Sequence, residues 1–289
     1  MAYTKQWGGP HPGCLIILID QSGSMEEKFG GNQLGAGKRK CDMVATVLNN
    51  LLHEFVKTNT IGQEIKPRAD IAVLGYEGQS VHSALAGSLS ARSFVTLPEL
   101  MANPLRIDTR IKKEMDDTGN IIEIPIYFPI WVEALAGGGT PMCAALRQAR
   151  ELAEQWATTH RDNYPPVVIN ITDGMSTDGD PTVPISELGQ VRTNDGEVLI
   201  LNCHITDKSD ATIEFPADES SLPNDSFARL LFSLSSVIPE SAREEMAKNT
   251  GMNLAQGARG FIFNGDAASV RQMFVCATIG ATMPIDLNR

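Results

Sequence analysis

The sequence predicts an α/β fold: a doubly wound, mainly parallel sheet flanked by helices, with a β-hairpin inserted into it. Three observations predict it. Apolar runs of strand length recur along the chain without alternation, which is typical of strands covered on both faces. Segments with helical spacing of apolar residues lie between these runs. Glycine clusters or acidic residues separate the two kinds of segment, as in successive βαβ units.

In the first part of the chain we expect a loose polar leader, a buried strand, a glycine-rich loop, an amphipathic helix and two more strands. These are residues 1–13, Cys14–Ile19, Gly30–Gly37, Cys41–Lys57, Ala69–Gly75 and Val81–Leu85. The helix is predicted because its apolar residues fall on one face, from Val44 to Phe55, at spacings of three and four. The first strand is apolar throughout.

Residues 104–128 have a different pattern. Two alternating segments flank the turn sequence Asp117-Thr118-Gly119-Asn120, which predicts a β-hairpin. The hairpin interrupts the α/β alternation and is therefore an insertion. Two interpretations stay open: a feature that shapes the choice of partner, or a tolerated surface insertion.

The second part of the chain returns to alternation after the glycine cluster Gly137–Gly139. We expect a helix that begins with Pro141 in its first turn and runs to about Trp156. A buried strand then ends at Asp173, within "PPVVINITDG". The remaining predictions are a helix, a strand, a surface loop, a helix, a strand, a helix and a tail: Ser186–Val191, Val198–Ile205, 208–226, Ser241–Lys248, Gly260–Phe263, Ala267–Ala277 and 281–289.

Composition limits the classes of function. The chain has 289 residues and a formal charge of −11. Nucleic acid repels such a surface unless a basic patch is segregated, and the densest basic run, Lys38–Lys40, is short. The five cysteines are far apart and odd in number, which favours reduced thiols. With no signal-peptide pattern and no apolar stretch of membrane-spanning length, we expect a cytoplasmic protein without a membrane segment.

Oxygen-bearing side chains collect where two predicted strands end and one helix begins. Asp20, Ser22 and Ser24 follow the first strand, Thr140 precedes a helix, and Asp173 follows a later strand. In open α/β sheets, ligands bind at the carboxyl ends of strands. Two carboxylates and three hydroxyls, without Cys or His, are hard ligands that favour Mg²⁺, Mn²⁺ or Ca²⁺. We therefore predict a divalent metal site.

The charge of this ligand set indicates its chemistry. Only two of the five groups are anionic, so a bound divalent ion stays electrophilic and keeps water in its shell. A carboxylate from a partner can displace one water and complete the coordination. The ligands thus suggest metal-bridged adhesion to an acidic residue of another protein.

The motifs "DQSGS" at 20–24, "GGGTP" at 137–141 and "TDG" at 172–174 resemble, in order and spacing, the metal-ion-dependent adhesion site (MIDAS) of von Willebrand factor A (VWA) domains. The resemblance covers residues 14–280 and implies a Rossmann-like fold with a metal at its top. It implies that Ser22, Ser24 and Thr140 touch the metal directly, and that Asp20 and Asp173 act directly or through water.

The resemblance also implies a class of function. A stand-alone chain of this kind is similar to prokaryotic VWA proteins of tellurite-resistance-type and other stress-signalling systems. The expected role is a non-enzymatic adaptor, and the expected partner presents an acidic residue. Such a partner belongs to a kinase/phosphatase system or to an AAA+ system.

Two alternatives stay open. One is a Mg²⁺-dependent hydrolase or phosphatase with an aspartate nucleophile. Against it, Ser22 stands where a second acid would supply the D-x-D pair, and no Lys or His lies within the motifs. The other is a structural subunit whose metal only locks the fold.

Two further segments do not meet the requirements of the ligand-binding loops to which they are similar. The run "GGNQLGAGKRK" is similar to a P-loop, but Asn32 and Arg39 stand where that motif requires Gly and Ser or Thr. The acids of "TDGMSTDGD" do not have the spacing of an EF-hand calcium loop.

Overall fold

The computed structural model describes residues 3–28, 37–115, 120–206 and 211–279. Most of the predicted glycine-rich loop (30–36), the turn residues 117–119 and the tail 281–289 lie outside the described residues.

The first half of the chain forms β1, α1, β2, β3, β4, β5, β6, α2, β7 and β8. Their bounds are Gly13–Asp20, Lys40–Thr58, Thr60–Ile61, Glu64–Ile65, Ala69–Glu77, Ser80–Ser83, Val95–Thr96, Leu97–Ala102, Arg106–Met115 and Ile121–Ile130. The predicted first strand, first helix and next two strands are all present, with ends that differ by a few residues. The short elements β2, β3, β6 and α2 were not predicted, because two-residue strands and one-turn helices leave little periodicity.

The second half forms α3, β9, α4, β10, β11, α5, α6, β12 and α7. Their bounds are Met142–Thr159, Val167–Thr172, Thr182–Gly189, Leu199–His204, Ile213–Glu214, Ser226–Leu234, Glu240–Thr250, Phe261–Phe263 and Ala267–Ala277. The last helix has the bounds that the sequence predicts. The helix expected at Ser186–Val191 begins four residues earlier, at Thr182.

The main sheet confirms the predicted doubly wound, mainly parallel α/β fold. Its strand order is β11-β12-β10-β9-β1-β4-β5, and β6 also pairs with β4. The central pairs between β12 and β4 are parallel, whereas β11, β5 and β6 are antiparallel to their neighbours. Strand β1 lies between β9 and β4, so all eight of its residues are buried.

The two faces of β1 pack against two separate layers of helices. Leu15, Ile17 and Ile19 belong to the core formed with α1 and α7. The alternate residues Ile16 and Leu18 belong to the core formed with α3, α4 and α5. Because both faces are covered, the strand has no polar side until Asp20, which explains its uninterrupted apolar sequence.

The predicted insertion is a two-stranded antiparallel ribbon, β7 paired with β8 from Arg106↔Ile130 to Met115↔Ile121. Its base is buried at Phe128, whose ring meets that of His53 on α1 edge to face. Toward the other end the ribbon exposes large apolar side chains, including Ile111 at 63% and Ile121 at 71%.

The predicted surface loop 208–226 contains more structure than expected in its described part. Residues 213–214 form β11, a single 3-10 turn covers Glu219–Ser221, and α5 begins at Ser226. Asp225 caps α5 by accepting hydrogen bonds from the backbone N–H groups of Phe227 and Ala228. The Asp-Ser pair before an apolar repeat was the available signal.

The N-terminal segment is not loose where it is described. Trp7 is completely buried, and its ring lies so close to Gly13 that a Cβ there would overlap it. Backbone N–H groups of Thr4 and Lys5 donate to the carboxylate of Asp195. The polar, Gly- and Pro-rich composition did not indicate these contacts, because they involve single residues, such as Trp7, that form no repeating pattern. Among the described helices, none combines the length and apolar composition needed to span a bilayer.

Candidate metal centre

Strand β1 places Asp20 at the carboxyl end of the central strand, where the side chain is completely buried. Its Oδ1 accepts a hydrogen bond of 2.9 Å from the backbone N–H of Ser22, and its Oδ2 accepts one of 2.7 Å from the hydroxyl of Thr172. The first contact is an Asx-type turn, in which the carboxylate shapes the loop that follows it. The second joins β1 to β9.

The two serines turn toward the end of β9. Their hydroxyl oxygens lie 3.1 Å apart, and the Ser24 hydroxyl donates a 2.7 Å hydrogen bond to Oδ1 of Asp173. A single 3-10 turn, Gly23–Glu26, produces this arrangement, and the fully buried Met25 holds it against the core. Asp20, Ser22, Ser24 and Asp173 are therefore brought together, as the sequence predicts.

The glycine loop lies directly beside these residues. The backbone N–H of Gly23 donates to the carbonyl of Gly138 at 3.0 Å. Gly138 has φ +65°, and a Cβ there would lie 2.6 Å from the Cα of Gly78. Thr140, 5% exposed, follows on this loop, and its backbone N–H donates to the hydroxyl of Thr177. The structure thus places the glycine loop that carries Thr140 beside the first motif, whereas the long-range hydrogen bonds of Thr140 itself are with Thr177.

Burial affects the protonation of Asp20, the first carboxylate of the site. Desolvation raises the pKa of Asp20 to about 6, although hydrogen bonds from Ser22 and Thr172 oppose the rise, and the charge of Asp173 adds to it. A carboxylate that is buried in this way is costly to keep ionised, and a nearby cation offsets that cost.

Lys40, the first residue of α1, places a cation beside the other carboxylate of the site, Asp173. Its Nζ lies 2.9 Å from Oδ2 of Asp173 and 3.1 Å from Glu27, and its side chain is 3% exposed. We did not predict this role, since Lys40 was counted only within a short basic run. One signal was present: lysine is unfavourable in the first turn of a helix, where the dipole is positive.

The donor set fits a small hard cation. In an octahedral shell with metal–oxygen distances of 2.0–2.1 Å, adjacent oxygens lie about 2.9 Å apart. The separations of 3.1 Å between Ser22 and Ser24 and 2.7 Å between Ser24 and Asp173 are close to that value. Within the described part of the chain no three His, Cys, Asp or Glu side chains form a possible metal cluster, so a metal here needs the hydroxyls as ligands.

Neither a protein-family model nor a curated protein matches the chain. Solved structures that are similar include proximal thread matrix protein 1 from the mussel byssus, with 14% identity and TM-score 0.46 over 93% of this chain. Others are the manganese-loaded TRAP protein of Plasmodium vivax, at 14% and 0.31 over 66%, and the vWF domain of the pili tip protein Mfa5 from Porphyromonas gingivalis, at 14% and 0.28 over 57%.

This chain spans 47%, 57% and 39% of those three chains, respectively. With TM-scores below 0.5, none of these similarities carries a conclusion about function. The doubly wound fold is established by the strand order and by the helices on both faces of the sheet. The chain is therefore an α/β protein with similarity to a vWF domain and with a hydroxyl–carboxylate cluster at the carboxyl edge of its sheet.

Proposed function

We propose that the chain is a VWA-type, metal-dependent protein-interaction module rather than an enzyme. One observation carries the proposal: Asp20, Ser22, Ser24 and Asp173 form a connected hydrogen-bonded cluster at the ends of β1 and β9, which Asp20 joins through the backbone N–H of Ser22. Together with Thr140, these residues would hold the cation of a MIDAS. Mg²⁺ is the ion we expect, with Mn²⁺ or Ca²⁺ as substitutes.

A bound divalent ion would supply an electrophilic coordination position for a carboxylate of the partner. The chain's own residues prepare that position. Asp20 and Ser22 are buried and fixed by hydrogen bonds, so they hold the ligand oxygens in place. Gly23 is exposed and Ser24 partly exposed, so the cluster is open to the surface on their side.

A cleft beside the cluster offers room for the residues that flank such a carboxylate. It is lined by Asp173, Met175, His204 and Phe227, among others. Met175 is 67% exposed and gives the cleft an apolar border. We propose that the partner is a protein with an Asp or Glu beside an apolar residue, in an intracellular kinase/phosphatase or AAA+ stress-signalling system.

The similar structures agree with this class but do not decide it. One is a manganese-loaded protein, and another is a vWF domain of a pili tip protein. Those descriptions belong to the proteins concerned. For this chain, the support comes from the donor set and its oxygen–oxygen distances.

The test is direct binding of Mn²⁺, measured by calorimetry and by the electron paramagnetic resonance (EPR) signal of the free ion. We expect one site per chain in the wild type and loss of binding in Ser24→Ala. Ser24 is suited to this test because its side chain is small and partly exposed. Ser176→Ala is the matched control, since that serine hydrogen-bonds Asp178 outside the cluster.

Affinity capture from the native cell extract then tests the interaction, with Mg²⁺, with EDTA and with Ser24→Ala as bait. A partner that is retained only by the wild type with Mg²⁺ supports the proposal. Wild-type protein that binds no Mn²⁺, or that captures the same partners with EDTA, contradicts it. Metal-dependent hydrolysis of a phosphoester, lost in Asp20→Ala, would instead indicate the hydrolase.

A further inference from the structure

We propose that Lys40 is a positioning residue that makes metal binding and carboxylate binding at this site depend on each other. It does so by holding Asp173 in an ion pair and cancelling its charge. The inference rests on the proposed function, because it concerns the same site. It adds the reason why the site should favour a partner's carboxylate.

A backbone hydrogen bond of Lys40 and two ion pairs of Arg39 hold the start of α1 in place. Its N–H donates to the carbonyl of Glu27 at 2.9 Å. The preceding residue, Arg39, pairs with Glu26 at 2.9 Å and with Asp42 at 2.7 Å. The start of α1 is thereby held against Glu26 and Glu27, which follow the DQSGS motif. The Lys40 side chain points from there to Asp173 in the cluster.

Both oxygens of Asp173 are occupied by donors of the chain. Ser24 donates to Oδ1, and Lys40 Nζ donates to Oδ2 at 2.9 Å. The Asp173 side chain is fully buried, so it has no contact with solvent that could replace these bonds. Lys40 therefore fixes the orientation of Asp173 and leaves Asp173 little free charge for the metal.

Lys40 lies between two carboxylates, with its Nζ 2.9 Å from Oδ2 of Asp173 and 3.1 Å from Oε2 of Glu27. Glu27 is 60% exposed, so water screens its charge and Asp173 is the dominant partner.

The charges of these side chains determine how the centre responds to a cation and then to a carboxylate. Asp20 and Asp173 contribute two negative charges and Lys40 one positive charge, which leaves a net single negative charge at the centre. A divalent cation then brings the centre to a net positive charge, and one carboxylate restores neutrality. Without Lys40 the two aspartates alone would neutralise the cation, and a third carboxylate would gain less from binding.

Helix stability offers no reason for a lysine at this position. A positive charge in the first turn opposes the helix dipole, and a buried lysine must be desolvated. The geometry instead gives the ammonium group one principal contact, the carboxylate of a candidate ligand. An unfavourable dipole interaction and the desolvation of the ammonium group are thus accepted without a benefit to the helix, which is consistent with a role for Lys40 at the candidate metal site.

The experiment measures the Mn²⁺ affinity of the wild type and of Lys40→Met, each in acetate and in chloride buffer of equal ionic strength. Acetate is the carboxylate probe. For the wild type we expect acetate to strengthen Mn²⁺ binding about fivefold or more, within the usual range of coupling between two ligands. For Lys40→Met we expect about tenfold tighter binding in chloride and an acetate effect close to one.

Lys57→Met is the matched control, because Lys57 lies on the same helix in an exposed pair with Glu54. It should behave as the wild type. Lys40→Gln is the second variant. Its amide can still donate a hydrogen bond to Asp173 but carries no charge, so it should show the same tighter Mn²⁺ binding in chloride and the same loss of the acetate effect. Circular dichroism verifies that each variant is folded, and if Lys40→Met does not fold, Lys40→Gln decides the test.

Equal acetate effects in the wild type and in folded Lys40→Met overturn the inference. So does weaker Mn²⁺ binding in Lys40→Met, since that is the result of a purely structural role. These outcomes differ from failure of the proposed function, in which the wild type itself binds no Mn²⁺.

Discussion

The hydroxyl of Thr172 donates a 2.7 Å hydrogen bond to Oδ2 of Asp20, and both side chains are completely buried. This contact joins the ends of β1 and β9 directly under the candidate metal centre. It also explains why the motif residue before Asp173 is a threonine. Its hydroxyl is the donor that keeps a buried carboxylate hydrogen-bonded when the strand ends.

Replacing this hydroxyl tests its contribution. Thr172→Val keeps the shape of the side chain but leaves Oδ2 of Asp20 buried without that donor, so the free energy of unfolding should fall by about 1–3 kcal/mol. Urea denaturation measures it. Thr158→Val is the control, since that exposed hydroxyl bonds only a carbonyl within its own helix. Equal losses in the two variants would contradict the role assigned to Thr172.

A side chain at Gly138 should disturb the loop that carries Thr140. Gly138→Ala places a Cβ 2.6 Å from the backbone of Gly78 and also meets the cost of φ +65°. Gly62→Ala has nearly the same φ, +63°, with open space around it, and should cost only about 1–2 kcal/mol. We expect a clearly larger loss for Gly138→Ala, together with weaker Mn²⁺ binding. Thermal denaturation and calorimetry measure the two effects.

Asn49 on α1 holds the segment that leads from the hairpin to the glycine loop. Its Oδ1 accepts from the backbone N–H groups of Trp131 and Val132, and its Nδ2 donates to the carbonyls of Ala45 and Val132. Asn49→Ala leaves several of these buried groups without partners. We expect the free energy of unfolding to fall by about 2–4 kcal/mol.

The neighbouring Asn50 provides the control for that prediction. It accepts one bond from Arg110 at 3.1 Å on the surface. Asn50→Ala should change the free energy of unfolding by no more than about 0.5 kcal/mol. Urea denaturation measures the free energy of unfolding of both variants. A loss in Asn50→Ala as large as that in Asn49→Ala would show that the buried hydrogen bonds of Asn49 are not the cause of the lower stability.

Asp178 should contribute to stability in a pH-dependent way. Burial tends to raise its pKa, but hydrogen bonds from Ser176 and from the backbone of Cys143 and Ala144 outweigh this and hold the pKa below the ordinary 3.8. A depressed pKa means that the contribution is present above pH 3.8 and is lost as the pH falls through the lower, folded-state value.

Asp178→Asn should therefore lower stability at neutral pH and flatten its decline in acid. Thermal denaturation between pH 2.5 and 7 measures this. Glu151→Gln is the control, because Glu151 is an exposed position on α3, the helix whose first turn donates to Asp178. An unchanged acid slope in Asp178→Asn would show that the carboxylate does not cap α3.

The sequence predicted the elements with long, regular patterns. The β1 strand was recognisable because no polar residue interrupts it, and α1 because its apolar residues keep one face. Helix α5 and the packing of Trp7 were missed, since a nine-residue helix after a polar loop and a single aromatic residue leave weak local signals.

The five candidate ligands were predicted from three motifs, and the structure brings four of them into one hydrogen-bonded cluster. Their role as metal ligands stays a prediction. Thr172 was predicted only as part of the TDG motif, without a role of its own, and Lys40 was not predicted to belong to this centre. Both contact it through partners more than 130 residues distant in the sequence, at Asp20 and Asp173.

By itself, the sequence determined the α/β class, the order of the main strands and helices, and the oxygen-rich character of the site. These properties depend on local periodicity and on residue type, which are legible in one chain. Tertiary structure alone decided that Lys40 lies against Asp173 and that Gly138 packs on Gly78. Such contacts depend on how distant segments approach, and that is set by the packing of α1 and the glycine loop around the ends of β1, β4 and β9.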